Sequence, residues 1–165
     1  KLFYLPDNDG ELVTLLKKFK DKNPVVIGNG SNVLFSSKGV DNPVIYTGNI
    51  KSTLTLGSTI EAGAGIKVQT LSKLAYDKKL EGFEFLIGIP ASLGGACYMN
   101  AGAHGSSIAD SFYSAKVYDI ENHKILTLKK EEMDFSYRHS ILKEKPYILL
   151  SAKFHLKKGD RKSVV

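Results

Sequence analysis

The stretch from Gly82 to Asp110 constrains the fold more than any other part of the chain, because small residues dominate it. It reads GFEFLIGIPASLGGACYMNAGAHGSSIAD and carries almost no charge before Asp110. Its apolar residues follow neither the spacing of an amphipathic helix nor the alternation of a half-buried strand. Glycine and alanine at this density allow the backbone to approach another segment or a ligand closely. The stretch therefore predicts close packing or a binding site.

A second glycine-rich segment, Gly28-Asn29-Gly30-Ser31-Asn32, follows the apolar residues Val25–Ile27. Successive backbone N–H groups in such a turn can surround a phosphate or pyrophosphate, and Ser31 and Asn32 add side-chain donors. The G-x-G-x-x-G fingerprint is not met, because Val33 stands at the third glycine. The spacing is equally compatible with a turn that only closes a hairpin. We expect the two glycine-rich stretches to hold one ligand from two sides.

The middle of the long stretch predicts a short, tightly packed helix over residues 93–99, preceded by Pro90. Unpaired N–H groups at a helix start attract anions, so this start is a second candidate phosphate contact. Close packing of the helix on a sheet is the alternative, and spacing alone favours it. Cys97 has no basic residue nearby in sequence, which indicates a small buried residue rather than a catalytic thiol.

Four functional side chains follow one another in the sequence Tyr137-Arg138-His139-Ser140. Arg138 and Arg161 are the only arginines of this lysine-rich chain. A guanidinium recognises a carboxylate or phosphate through two parallel hydrogen bonds, which a lysine cannot do. The segment is therefore a candidate anion-binding loop, although a surface salt bridge is the commoner role of an arginine.

Composition limits the classes of function. The net charge is +6, but the lysines are scattered, so we expect no nucleic-acid partner; a positive field still favours an anionic ligand. The single cysteine excludes an internal disulfide and fits a reducing, cytoplasmic location, and no apolar run is long enough to cross a membrane. The four histidines lack metal-ligand spacing, so we predict no metal site, and His104 is the histidine expected to line a pocket.

The order of predicted elements indicates an α+β protein with two lobes. A strand over residues 2–5, an amphipathic helix and strands at 25–27 and 44–46 form a small β-α-β lobe, residues 1–48. Two hairpins, a helix after residue 67 and a last strand at 147–156 form a second lobe with an antiparallel sheet, residues 49–157. Residues 158–165 form a charged tail with no clear element.

Five motifs in order carry a family resemblance: GNGSN, AGAG, GFEFLIGIPASLGG, NAGAHG and FSYRHS. The chain resembles the UDP-N-acetylenolpyruvoylglucosamine reductase (MurB) family from about Val25 to Phe154. The resemblance implies the two-lobe FAD-binding fold of the vanillyl-alcohol oxidase (PCMH-type) class. It also implies that the two glycine-rich stretches bind FAD. The implied cofactor-binding residues are Gly28, Asn29, Gly30, Ser31, Asn32, Val33, Gly88, Ile89, Pro90, Ser92, Gly94, Gly95, Asn100, Ala101, Gly102, Ala103 and Gly105.

The resemblance further implies an NADPH-dependent oxidoreductase of peptidoglycan synthesis. In that family NADPH reduces the flavin, and a hydride then passes to the enolpyruvyl group of a UDP-sugar to give UDP-N-acetylmuramate. The family's motif arginine falls on Arg138, which would bind the substrate carboxylate and stabilise the developing negative charge. Tyr137 would line the same substrate site. We expect a cytoplasmic monomer for the complete protein.

The chain also departs from the family pattern. Ala91, Ser92 and His104 replace the family's usual glycine, threonine and tyrosine. The family's third, substrate-binding lobe is absent, and with it the proton-donor serine and a glutamate; Ser140 belongs to another motif and does not replace that serine. We therefore expect FAD binding with impaired turnover. A non-catalytic FAD- or nucleotide-binding module is the alternative, and a related flavin oxidase is disfavoured by the Tyr137–Ser140 loop.

Overall fold

The protein combines a small parallel sheet and a larger antiparallel sheet in one chain. The structure, a computed structural model, describes residues 2–30, 34 and 36–159. In chain order its elements are β1 (Phe3–Tyr4), α1 (Asp9–Lys18), β2 (Val25–Ile27), β3 (Val44–Tyr46), β4 (Thr53–Leu56), β5 (Thr59–Gly63), α2 (Val68–Asp77), β6 (Leu80–Glu81), α3 (Leu93–Tyr98), β7 (Gly102–Ala103), β8 (Ser106–Ser107), α4 (Ile108–Ser111), β9 (Phe112–Asp119), β10 (Lys124–Lys129), β11 (Tyr147–His155) and β12 (Lys157–Lys158). Short 3₁₀ turns cover Lys20–Lys22, Glu84–Gly88, Lys130–Glu132 and Ile141–Lys143.

The first three strands form a parallel sheet in the order β1-β3-β2. The predicted β-α-β unit is present, but β3 lies between its two strands. This places β2 at an edge, so Val25–Ile27 is half-buried rather than buried as the sequence predicts. Helix α1 begins where the Asn8 side chain accepts a hydrogen bond from Glu11 N at 2.9 Å, as its cap-forming sequence indicates.

The second sheet has five antiparallel strands in the order β10-β9-β11-β5-β4. Both predicted hairpins are present, as β4–β5 and β9–β10, and β11 joins them. A register shift between Leu149 and Ser151 interrupts the alternation of β11. Leu149 and Phe154 therefore both lie in the main core despite their odd spacing, while Leu150 lies in a second cluster.

Two hydrophobic clusters hold these layers together. The main core includes residues of α2, α3 and the five-stranded sheet, with the rings of Phe83 and Phe112 packed edge-on against Phe154. The second cluster contains side chains from both sheets and from α1. Its buried members are Leu12, Leu16, Ile45, Ile50, Tyr118 and Leu150. The two sheets therefore share a common apolar interior.

The segment that follows the long strand β11 contains a further short strand. The tail is not wholly without structure, because its first residue, Lys158, belongs to β12 and pairs with Leu80 of β6; a strand of two residues is too short to detect in the sequence. Within the described part of the chain, no helix combines the length and the apolar character that spanning a membrane requires.

Candidate functional site

The two glycine-rich stretches meet in space. Gly28 follows β2 and lies directly against Ser92, so that a Cβ at Gly28 would collide with Ser92 Oγ and come within 3.0 Å of Ser92 Cβ. The next residue continues the contact, because Asn29 Nδ2 donates to the Pro90 carbonyl at 3.3 Å. Only a glycine permits this approach at position 28. Segments that are about sixty residues apart in sequence therefore form one wall.

A cavity of about 1130 Å³ opens beside this contact. Small-molecule sites usually occupy about 300–1,000 Å³, so the cavity is large enough for an extended ligand. Its wall combines small residues with the Tyr137–Arg138 loop. The predicted site residues that line it are Gly28, Ile89, Pro90, Ser92, Gly94, Gly95, Asn100, Ala101, Gly102, Ala103, Gly105, Tyr137 and Arg138.

Other predicted residues lie outside the cavity wall. Asn29, Gly30 and Gly88 do not line the cavity, although Asn29 supports the wall through Pro90. Ser31, Asn32 and Val33 lie outside the described residues, so their predicted role stays a prediction. His104, the histidine expected to line a pocket, does not line this cavity but borders a second, smaller one. His104 and Gly105 form a left-handed turn between β7 and β8 that carries His104 to a smaller depression beside α2.

The start of α3 differs from the expectation of free N–H donors. The N–H groups of Leu93 and Gly94 donate to the carbonyls of Ile66 and Ala64, each at 2.8 Å. Gly95 N donates to Ser92 Oγ at 3.3 Å, which caps the helix. The prediction that these N–H groups are free to attract an anion is wrong, because the Ala64–Ile66 segment already accepts the first two. The small residues here serve close packing as well as the cavity wall.

Tyr137 and Arg138 stand at the tip of a tight turn. Ser136 and His139 exchange backbone hydrogen bonds of 3.2 Å in both directions, which leaves Tyr137 and Arg138 as the two central residues. Arg138 has φ of 51°, and a positive φ at the second central position normally calls for glycine or asparagine. Such a conformation costs about 1–3 kcal/mol for other residues. The turn therefore holds Arg138 in an unfavourable backbone conformation.

The guanidinium of Arg138 is directed by its neighbour. Arg138 Nε donates to the Tyr137 hydroxyl at 3.0 Å, and its guanidinium carbon lies 5.3 Å from the centre of the Tyr137 ring. The hydrogen bond to Tyr137 raises the pKa of Arg138 above its ordinary value, so the guanidinium stays charged at every accessible pH. An exposed, permanently cationic group on the cavity wall can bind a carboxylate or phosphate.

Two polar side chains fix this turn to the rest of the site. Ser140 is buried, donates from Oγ to the Tyr98 carbonyl at 2.9 Å and accepts from Leu142 N at 3.2 Å. Asn100 donates from Nδ2 to the Ser136 carbonyl at 2.9 Å and accepts from Ala109 N at 3.0 Å. The end of α3 and the Arg138 turn therefore form one unit. Ser140 is held in a structural role.

Sequence reasoning missed several lining residues, of which Thr47, Met99, Lys145 and Tyr147 are polar or large. Thr47 had a signal. It follows β3 directly, and ligands bind beyond the carboxyl ends of parallel strands. Thr47 N and Oγ1 both donate to the Ile27 carbonyl, at 2.9 Å and 3.2 Å, which brings Thr47 beside Gly28. Nothing in the sequence distinguishes Lys145 from the many other lysines, so its place in the cavity wall could not be predicted.

Cys97 is buried beside this site. Burial raises the pKa of its thiol well above the ordinary value, so the thiolate is not populated near neutral pH. The prediction of a small, inert core residue is confirmed.

A family model described as "FAD binding domain" matches residues 1–129. This chain belongs to the FAD-binding domain family. The α+β FAD-binding fold class and FAD as the family's cofactor are thereby confirmed.

Relatives of this FAD-binding domain share a more specific name. The UDP-N-acetylenolpyruvoylglucosamine reductase of Lactococcus lactis subsp. cremoris (strain MG1363) is 43% identical over 143 residues, which are 87% of this chain and 48% of the relative. The enzyme of the same name from Caldicellulosiruptor saccharolyticus is 43% identical over 161 residues, which are 96% of this chain and 52% of the relative. The resemblance predicted from the motifs is confirmed, and the chain spans about half the length of these relatives.

Solved structures agree with the FAD-binding fold. The crystal structure of UDP-N-acetylenolpyruvylglucosamine reductase (MurB) from Thermus caldophilus superposes with a TM-score of 0.82 at 30% identity, over 98% of this chain and 57% of that one. An alkyldihydroxyacetonephosphate synthase superposes with a TM-score of 0.68 at 16% identity, over 94% of this chain and 31% of that one. The second likeness concerns the fold alone.

Proposed function

We propose that the cavity between the two glycine-rich stretches is the FAD site. The observation that carries the proposal is the contact of Gly28 with Ser92 at the wall of one cavity of about 1130 Å³. The residues fit an extended cofactor, because the long cavity wall is built largely of glycine and alanine, and the missing side chain at Gly28 lets Ser92 pack directly against its backbone. The proposed cofactor-binding residues are those predicted from the sequence, with Thr47 and Tyr147 added from the cavity wall.

We further propose that the chain is the FAD-binding portion of an NADPH-dependent reductase acting on the enolpyruvyl group of a UDP-sugar. FAD, once bound, would supply the redox chemistry, which is the transfer of a hydride equivalent from NADPH to the enolpyruvyl group. Arg138 binds the substrate carboxylate and stabilises the negative charge that develops beside it. Tyr137 holds the guanidinium through the Nε hydrogen bond. A cytoplasmic monomeric state of the complete enzyme belongs to the same proposal.

The proposed division of the chain follows the two sheets. Strands β1 to β3 all lie before residue 48, and the five-stranded sheet lies between residues 53 and 155. We propose residues 1–48 and 49–157 as the two FAD-binding lobes, with the cavity wall drawn from both. Residues 158–165 then form a connection that follows the second lobe.

The first test is the visible absorption spectrum of the purified chain with and without added FAD, read again after gel filtration. We expect a flavin band that stays with the protein. A Gly28→Val variant should lose this band, because its side chain would occupy the place of Ser92, whereas Leu56→Ala, at an exposed residue of β4 outside the cavity, should keep it. A folded chain that retains no flavin at excess FAD would contradict the proposed site.

The second test concerns the reaction. The chain and a version extended to the length of its relatives are assayed for substrate-dependent oxidation of NADPH. We expect turnover from the extended version only, and a loss of about 10²-fold or more in kcat for its Arg138→Ala variant with FAD still bound. Retained FAD without turnover in the extended version would favour the non-catalytic FAD- or nucleotide-binding module.

A further inference from the structure

Three metal-ligating side chains converge behind the Tyr137–Arg138 turn. Ligand atoms of Asp134, His139 and Glu144 all lie within 4.8 Å of one another. His139 Nε2 lies 3.2 Å from Asp134 Oδ2 and 3.2 Å from Glu144 Oε2. We propose that these three side chains bind one divalent transition-metal ion of the zinc class. The proposal is independent of the proposed reductase function.

The arrangement around His139 differs from an ordinary ion pair. A histidine Nε2 carries at most one hydrogen, so it can direct only one good hydrogen bond. Here two carboxylate oxygens face the same nitrogen at equal distances, and both distances exceed the roughly 2.7–2.9 Å of a charge-assisted bond. One proton on this nitrogen can bond well to only one of the two carboxylates. A divalent cation between the three side chains would bind the nitrogen and both carboxylates.

Two of the three separations between the ligand atoms match those of a zinc centre, and the third is no longer than 4.8 Å. Zinc binds imidazole nitrogen at about 2.0–2.1 Å and carboxylate oxygen at about 2.0–2.2 Å, in a tetrahedron whose edges are then about 3.3 Å. Both separations from His139 Nε2 are close to such an edge. One imidazole with two carboxylates also suits zinc better than magnesium or calcium, which prefer all-oxygen sites.

The site is open to solvent. The His139 side chain is 27% exposed, and the side chains of Asp134 and Glu144 are 66% and 53% exposed. An ion can therefore enter without unfolding, and water can complete the coordination. Cys97, the single cysteine, is buried and does not compete for the ion.

The positions of the three ligands give the ion a defined effect. Asp134 and Glu144 stand at the two ends of the segment that carries Tyr137 and Arg138, and the backbone already closes this segment where Ile141 N donates to Met133 O at 2.6 Å. A bound ion would add a side-chain closure at the same place. We therefore infer that the ion braces the turn and limits the motion of Arg138.

The test is a titration of the chain with Zn²⁺, followed by calorimetry, together with the absorption spectrum of the Co²⁺-loaded chain. We expect one equivalent of Zn²⁺, a Co²⁺ spectrum of tetrahedral intensity, and no response to Mg²⁺. Asp134→Asn, His139→Gln and Glu144→Gln should each weaken Zn²⁺ binding by at least about tenfold. His155→Asn, at a histidine that stacks on Tyr113, should bind as the unchanged chain does.

Two results would overturn the proposal. No saturable binding of Zn²⁺ would show that direct contacts of His139 with the two carboxylates account for the cluster. Unchanged one-equivalent binding in all three ligand variants would place the ion elsewhere. Circular dichroism of each variant confirms its folding, and the Co²⁺ spectrum of the unchanged chain tests the geometry without any substitution.

Discussion

Gly28 shows how one missing side chain can join two distant segments. We expect Gly28→Ala to lower stability by about 1–3 kcal/mol, because its methyl group must displace the buried Ser92. Ser92 also caps α3, so the disturbance extends to the start of that helix. Urea unfolding measures the change. Gly88→Ala is the matched control and should stay within about 0.5 kcal/mol; equal effects at both positions would contradict the role assigned to Gly28.

Asp119 governs the turn that follows β9. Its carboxylate accepts hydrogen bonds from the Asn122 side chain at 2.8 Å and from the N–H groups of Asn122 and Glu121. The Asn122 side chain and then these N–H groups lower the pKa of Asp119, against an opposing effect of burial. A folded-state pKa below the unfolded value, about 3.9, means that ionised Asp119 stabilises the fold above that pH and loses this effect as the pH falls.

We therefore expect Asp119→Asn to destabilise the protein by about 1–2 kcal/mol at pH 7, because the charged acceptor is lost. The difference from the unchanged chain should shrink as the pH falls below about 4 and through the folded pKa. Urea unfolding at several pH values measures it. A difference that grows on acidification would contradict the assigned direction of the pKa change.

At the scale of elements, the Arg138 turn combines an unfavourable backbone conformation with an exposed guanidinium group. Arg138→Gly and Arg138→Ala both remove the guanidinium, but only glycine relieves the positive φ. We expect the glycine variant to be the more stable of the two by about 1 kcal/mol in urea unfolding. The same pair of substitutions at Tyr137 should give the opposite order, because φ at Tyr137 is not positive. An alanine variant as stable as the glycine variant at position 138, or more stable, would show that Arg138 carries no strain.

At the scale of the whole molecule, the second cluster decides whether the two sheets unfold together. Leu16 of α1 is fully buried in the cluster that also contains Tyr118 of β9. We expect Leu16→Ala to cost about 2–5 kcal/mol and to accelerate hydrogen exchange in both β3 and β9. Leu56→Ala, at an exposed residue of β4, is the control. Faster exchange in β3 alone would show that the two sheets are independent units.

For the molecule as a whole, the sequence predicted the individual elements better than the order and register in which they pair. Period and turn residues identified α1, both hairpins and the long strand β11, because each is a local pattern. The insertion of β3 between β1 and β2 and the register shift at Leu149 depend on partners far along the chain, and no local pattern encodes them.

The sequence motifs likewise predicted some parts of the candidate site and not others. The motifs located most of the cavity wall, since glycines and the lone loop arginine are distinctive residue types. They did not reveal that Ala64 and Ile66 occupy the N–H groups of α3, nor that His139 meets Asp134 and Glu144. Spacing between histidines does not reveal a cluster of one histidine with two carboxylates, and our metal proposal replaces the expectation of no metal site.

The place of β11 in its sheet has a consequence for biosynthesis. β11 pairs with β5 on one side and β9 on the other, with Ser151 opposite Gly63. A ribosome makes β4–β5 and β9–β10 before β11, so both hairpins emerge with an unpaired edge and an uncovered apolar face. Such edges invite pairing with other chains until the missing strand arrives. Newly made chains should therefore depend on chaperones until residue 155 has left the exit tunnel, and the sheet should close late and slowly.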